Sequence, residues 1–489
     1  MSLVQEIRSS SERSTPPMTG RPWMRCLLLA ALLLCSLACT IVLRVVAPPA
    51  DGPVSPFLQV WMLGFVPYIG ATLLVLLTRT AGGRWQWGEL GIILLGALLL
   101  RAILLPVPPD LSHDSWRYLW DARVTLHGYS PYVYAPGNTQ LAFLHDFIYD
   151  NSRFRNVPTI YPPGAQAIFL LSYLLAPSNL FFFKGILVAF EIVTCIALAL
   201  LLKRNGQDPA RIILYAWCPL PIVEFALQGH LDAITIMFTV LTLLCNTASW
   251  RGARALTGFL LALATLTKIY PLVLLVVVLR RHDWALLATC FVTIILAYVP
   301  YLILGHGQVF GFFATYASET TPNAGVVQLF VTWIGQQLGL AKLLTTLITY
   351  ALDLALVGGT GLLVLVLRWR GRISVEMGAL VMIGSVFAAS SHIFPWYTPV
   401  VLPLVAMILG PLWTGTHGLN GNALAALLAW YFSAMSILGY FFVRDWHLYY
   451  LVVYDVVLLG LLLIAGRYML SFLQKRARPN VISNKNNKY

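Results

Sequence analysis

From Cys26 to Leu473 the chain is a succession of apolar runs, each approaching the length needed to cross a bilayer, with short polar turns between them. About 20 mostly apolar residues span the hydrocarbon as a helix. Inside it every backbone N–H and C=O must be satisfied within the element, so a chain patterned in this way crosses as helices. The runs predict roughly 11–14 membrane helices. With 59% hydrophobic and 10% charged residues among 489, too little polar surface remains for a soluble globule. The expected fold class is therefore an all-α polytopic membrane protein. It comprises a tail at 1–25, a membrane domain at 26–473 with longer loops at 106–160 and 305–328, and a second tail at 474–489. The first run, Cys26 to Val46, is long and lacks a small-residue cleavage site, so it reads as an anchor rather than a removable signal.

A net charge of +13 would suit a nucleic-acid binder, but the basic residues sit at loops and tails, where they orient helices and meet anionic lipid. No nucleic-acid partner is expected. Arg8, Arg13, Arg21 and Arg25 precede the first run, Arg79 and Arg84 follow the second, Asp51 lies between them, and Lys475, Arg476 and Arg478 follow the last. Both tails are then cytoplasmic, which places 106–160, His392 to Tyr397, and Arg444, Asp445 and His447 outside, and 368–372 and 415–422 inside. Lys203, Arg204, Arg251, Arg254, Arg280 and Arg281 also favour the inside, but the segments joining them are too short for full hairpins. Two readings stand: helices broken at Tyr161-Pro162-Pro163 and Lys268-Ile269-Tyr270-Pro271, or full spans that violate the charge bias. The seven cysteines are scattered through apolar stretches without metal-ligand or disulfide spacing.

Ionisable residues inside or beside a bilayer are costly and are functional candidates by default. The first loop opens with SHDSWRYLWDAR at 112–123. Asp114, Arg117 and Asp121 have helical spacing and would share one face, as an ion-pair ladder or as a carboxylate presented at the membrane edge. Their aromatic neighbours suggest an amphipathic helix lying in the outer interface. Beyond the loop stand Glu191, then Glu224, His230 and Asp232 around a turn, Lys268 at a proline break, and His392 ahead of Trp396 and Tyr397.

These segments carry a resemblance. SHDSWRYLWDARVTLHGYSPYVYAP, YPPGAQ at Tyr161, EFALQGHLDA from Glu224, LTKIYP ending at Pro271 and HIFPWYTPVVLPL from His392 resemble, in order, the signature segments of GT-C superfamily glycosyltransferases. The polyprenol-phosphate-mannose-dependent mannosyltransferases are the most similar group. One departure is that Leu227-Gln228-Gly229-His230-Leu231-Asp232 stands where relatives often have Asn-x-His-Asn-Asp.

The resemblance implies a GT-C-like fold and an inverting transfer of a hexose, first of all mannose, from a polyprenyl-phosphate sugar donor to a lipid or glycan acceptor. The active site would face the periplasm or exterior of a bacterial plasma membrane, with membrane lipids as the surrounding partners. Asp114 would be the base, with an ion pair to Arg117 as its alternative role. Lys268 and His392 would hold the lipid phosphate, with Arg117 either helping them or orienting Asp114. Lys268 has snorkelling to the interface as an alternative, and His392 a satisfied interfacial position. Tyr161, Glu224, His230 and Asp232 would contribute to substrate binding, and Trp396 and Tyr397 would stack on the sugar or line the prenyl groove, unless they belong to an aromatic belt. A phosphate leaving group needs no second carboxylate as acid, and no cofactor or metal is expected. A transporter or flippase would carry similar broken helices and charges, but with its ionisable groups at the midplane. A non-catalytic subunit would keep the fold without needing Asp114.

Overall fold

The computed structural model describes residues 22–47, 55–78, 83–319, 321–414, 418–442 and 445–477. The expectations resting on Arg8, Arg13, Arg21, Asp51, Arg79, Arg444 and Arg478, and on the side chains of Lys475 and Arg476, lie outside what is described.

Among the described residues eight helices have spanning length and apolar character: α1 (Trp23–Val45), α2 (Ser55–Leu77), α3 (Gly83–Leu104), α6 (Leu180–Arg204), α10 (Trp284–Leu304), α12 (Lys342–Trp369), α15 (Gly421–Tyr440) and α16 (Trp446–Leu470). A ninth, α7, is a pair, Pro209–Ala216 and Pro219–Leu227, bent by 50°. Pro219 and Pro221 follow directly on Cys218, and the missing proline N–H groups end the first piece there. Five shorter apolar helices complete the bundle: α5 (Pro163–Leu175), α8 (Asp232–Asn246), α9 (Ala253–Thr267), α13 (Val375–Ala389) and α14 (Pro395–Ile408). The loop helix α4 (Asp114–Leu126) and α11 (Val326–Gln337) lie outside this set. A two-residue antiparallel ladder pairs Trp413 with Leu419 and Thr414 with Gly418. The apolar runs of the sequence are thus present as helices, but among the described residues eight have full spanning length, or nine with the bent pair, against the 11–14 expected.

Short helices resolve the puzzle of the central basic residues. Arg204 donates to Leu244 O at 3.2 Å, Arg280 to Asn246 O at 2.7 Å, and Arg368 to Val277 O at 3.1 Å, while Arg254 pairs with Asp283. All these turns meet at one end of the bundle, the arginine face. Both expected proline breaks are helix boundaries. Pro163 opens α5, where a missing N–H costs nothing, and α9 stops at Thr267 before Lys268.

The first loop departs from expectation. Instead of lying in the lipid interface, α4 is enclosed: Arg117, Tyr118, Leu119, Trp120, Asp121 and Arg123 are all buried. Asp121 is the reason, because it accepts from Arg117 Nε at 2.8 Å and from Gln166 Nε2 of α5 at 3.1 Å. Arg123 in turn reaches Tyr173 Oη at 3.0 Å, Leu144 O at 3.0 Å and Ser178 Oγ at 3.1 Å. With its charges spent on α5 and the loop, α4 is held as part of the protein interior.

Deep in the bundle, Arg101 of α3 and Glu191 of α6 form a fully buried pair at 2.6 Å, with Arg101 also donating to Ala97 O and Ala216 O. Removing one member strands a charge in an apolar interior. Arg101→Met or Glu191→Leu alone should destabilise the protein by about 3–5 kcal/mol, seen as a lowered thermal midpoint in detergent. The Arg101→Met/Glu191→Leu double variant should recover most of that loss.

Candidate functional site

The site forms where α4 begins. Leu111 and Ser112 each donate a backbone N–H to Gln228 Oε1 at 3.2 Å, so the strand leading into α4 is tied to the turn joining α7 and α8. Gly229 follows in the left-handed region, φ +76°, and a Cβ there would stand 3.1 Å from Ser115 Cβ and 3.2 Å from Lys184 Cγ. Only glycine allows both the turn and the approach. The fit brings Asp232, the first residue of α8, to the start of α4, where Asp114 occupies the first turn.

Asp114 is half-buried, and a carboxylate is favoured at a helix N-terminus. Burial nevertheless raises its pKa to about 6. Lys268, then Arg153 and Arg117, oppose that rise, and the neighbouring carboxylate of Asp232 adds to it. A carboxyl held near 6 is ionised at neutral pH yet basic enough to accept a proton. Lys268 Nζ donates to Asp232 Oδ1 at 2.7 Å and lies 3.5 Å from the centre of the Tyr397 ring. Tyr397 Oη is in turn 2.8 Å from Tyr316 Oη.

From Tyr316 a ladder of stacked rings crosses the site. Tyr316 lies on His392 with ring centres 4.2 Å apart, His392 on Phe394 at 5.6 Å, Phe394 on Trp396 at 4.5 Å, and Trp396 on His230 at 3.9 Å. At one end His392 Nε2 is 3.1 Å from Glu319 Oε2. Burial lowers the His392 pKa, with Glu319 pulling it back. At the other end His230 Nδ1 is 2.9 Å from Glu224 Oε2, and Tyr440 Oη donates to Glu224 Oε1 at 3.2 Å. The 305–328 loop is tied to the segment that carries His392. Asn323 O accepts from Ile393 N at 2.7 Å, and Thr321 Oγ1 donates to Ser391 O at 2.6 Å.

Asp114, Tyr161, Glu224, His230, Asp232, Lys268, His392, Trp396 and Tyr397 therefore converge, with Tyr161 reaching the group through Tyr118 at a ring distance of 5.0 Å. Arg117 does not join them. Its guanidinium is taken by Asp121, Phe154 O at 2.9 Å and Val157 O at 3.0 Å, so it acts on Asp114 only at range. Lys268 is paired with Asp232, and His392 stands at the far end of the ring ladder rather than beside it. Sequence reasoning missed Gln228, Arg153, Tyr316, Glu319 and Tyr440. Gln228 alone carried a signal, as the departure from the related motif.

Several deeply buried polar groups here have no hydrogen-bond partner among the described residues: Ser115 Oγ, Gln228 Nε2, His230 Nε2 and Asp232 Oδ2. They surround the Gly229 turn on the side of α4's first residues, and they leave donors and acceptors for a polyhydroxy ligand beside a cation and a poised carboxylate. No curated protein matches the chain. Residues 159–395 match the family model described as Glycosyltransferase family 87, a stretch that holds Tyr161, Glu224, His230, Asp232, Lys268 and His392 and that supports glycosyltransferase activity in a multi-pass membrane protein.

Proposed function

We propose that the chain moves a hexose, with mannose the first candidate, from a polyprenyl-phosphate donor to a lipid or glycan hydroxyl through a GT-C-like site. The observation that carries this reading is the set of orphaned buried groups around the Gly229 turn. A polar group taken out of water without a partner costs free energy, and sugar hydroxyls are the complementary ligand for Ser115, Gln228, His230 and Asp232. The arginine face is assigned to the cytoplasm by the positive-inside bias, which leaves Asp114 on the extracytoplasmic side. In a bacterium that face looks onto the periplasm or exterior.

In the proposed step the acceptor oxygen attacks the anomeric carbon from the face opposite the phosphate. Its proton passes to Asp114, the new glycosidic bond forms, and the bond from the anomeric carbon to the phosphate oxygen breaks. The polyprenyl phosphate leaves with both electrons, and the sugar's configuration inverts. Asp114 serves as the single base because the leaving group needs no protonation. Lys268 has three N–H donors, one of them engaged by Asp232, and it supplies the positive charge nearest the departing phosphate. His392, its ring nitrogens taken by Ser391 Oγ and Glu319 Oε2, is assigned to positioning the ring ladder, in which Trp396 and its neighbours form one wall.

Transfer is tested with purified protein, a polyprenyl-phosphate mannose donor and membrane acceptor lipid. Asp114→Asn should keep the fold and lower turnover by at least about 10²-fold, and wild-type turnover in a folded variant would remove Asp114 from its role. Because the base form predominates above its pKa, kcat/KM should be flat above about pH 6. It should fall about tenfold per pH unit below that value, and the Asn variant should lack this limb. The wild-type rate is also expected to be unchanged in EDTA, since Lys268 meets the phosphate charge. Activity abolished by the chelator and restored by manganese or magnesium would contradict that.

A further inference from the structure

A second polar cavity lies far from Asp114. Helix α6 passes Gly229 at Lys184 and continues to Arg204, with Asn205 just beyond, so at 1.5 Å per residue the two ends of that path are about 30 Å apart. At the Asn205 end there is a cleft of about 270 Å³ lined by Asn205, Asn246, Thr247, Arg280, Arg368 and Glu376. It is assembled from the ends of five helical segments on the arginine face. Positive-inside orientation accounts for the presence of arginines here, but not for an open cleft with this lining.

We infer that this cleft is a binding site for the phosphoryl headgroup of an anionic membrane lipid. Arg280 uses its Nη2 on Asn246 O at 2.7 Å, and Arg368 its Nε on Val277 O at 3.1 Å and its Nη1 on Ile373 O at 3.0 Å. These bonds hold both guanidiniums at the cleft wall, and the remaining Nε and Nη1 of Arg280 and Nη2 of Arg368 have no protein acceptor among the described residues. Arg204 stands beside them, bonded to Thr247 Oγ1 at 3.1 Å. Against these three cations the lining carries one carboxylate, Glu376, which accepts from Asn205 Nδ2 at 3.0 Å. Asp283 is already committed to Arg254. The surplus is positive, the cleft opens where the apolar helices end, and basic pockets between helix ends on the cytoplasmic side are sites for phosphate-bearing lipid heads. The volume is several times that of a water molecule, about 30 Å³, and gives room for a phosphodiester. Its distance from Asp114 separates it from the reacting groups, so this assignment stands whatever the fate of the proposed transfer.

The test is native mass spectrometry of the full chain in neutral detergent with added cardiolipin, phosphatidylcholine or inorganic phosphate. Wild-type protein should retain cardiolipin and not phosphatidylcholine. An Arg280→Gln/Arg368→Gln variant should bind cardiolipin roughly 10- to 30-fold more weakly, while Arg370→Gln/Arg372→Gln, which removes equal charge from the same face outside the cleft, should bind as wild type. Thr247→Glu leaves both capping arginines in place and sets a carboxylate at the cleft edge. It should also abolish retention, which keeps the test decisive if the double variant fails to fold. Equal loss in both arginine pairs, retention by the Thr247→Glu protein, or inorganic phosphate displacing cardiolipin at equal concentration would overturn the lipid-headgroup assignment.

Discussion

The contact between the Gln228–Gly229 turn and the first turn of α4 makes one site out of segments more than a hundred residues apart. It has two parts: an amide oxygen that accepts both N–H groups leading into Asp114, and a glycine whose absent side chain lets Ser115 and Lys184 close over it. Once that fit is made, Asp232 stands near Asp114, Lys268 is drawn to Asp232, and Tyr397 packs on Lys268.

Charge within an apolar bundle is handled in three ways in this molecule. Arg101 and Glu191 neutralise each other at depth. Arg117, Asp121 and Arg123 are consumed in fastening α4 to α5 and the loop. Around Asp114 the polar groups are left incompletely paired, with Asp232 keeping one oxygen free and His230 its Nε2. Unpartnered buried atoms cost free energy wherever they occur, and Arg101 Nε and Glu191 Oε2 of the deep pair and Gln166 Oε1 beside Asp121 lack partners too; what sets the region around Asp114 apart is that such atoms gather beside a cation and a carboxylate.

The apolar runs announced the spans, and the ionisable residues scattered among them, Glu224, Asp232, Lys268 and His392 with Tyr161, are ones the fold brings together, because hydrophobic length and the scarcity of charge are properties of the linear chain. Other features were not visible there. The spacing of Arg117 from Asp114 and Asp121 is equally helical, and only the position of α5, which brings Gln166 to Asp121, decides that Arg117 pairs with Asp121 rather than Asp114. The aromatic density of α4 suggested an interfacial helix, yet aromatic side chains serve a buried helix equally well. The ring ladder from Tyr316 to His230 joins residues from three separate segments, and no periodicity records it. Gln228 looked like a loss from a related motif, whereas its amide oxygen suits the two N–H groups it receives. The short central helices could not be measured from hydropathy, since proline and arginine positions bound their ends only loosely.

The central claim is a single displacement at the anomeric carbon, assisted by one carboxylate and driven by a lipid-phosphate leaving group. The most direct measurement is the anomeric configuration, by NMR, of the product that purified protein forms from a polyprenyl-phosphate sugar of known configuration. Inversion is the predicted result. A product that retains the donor's configuration would contradict the account, because retention requires a second displacement and a nucleophile that it does not assign.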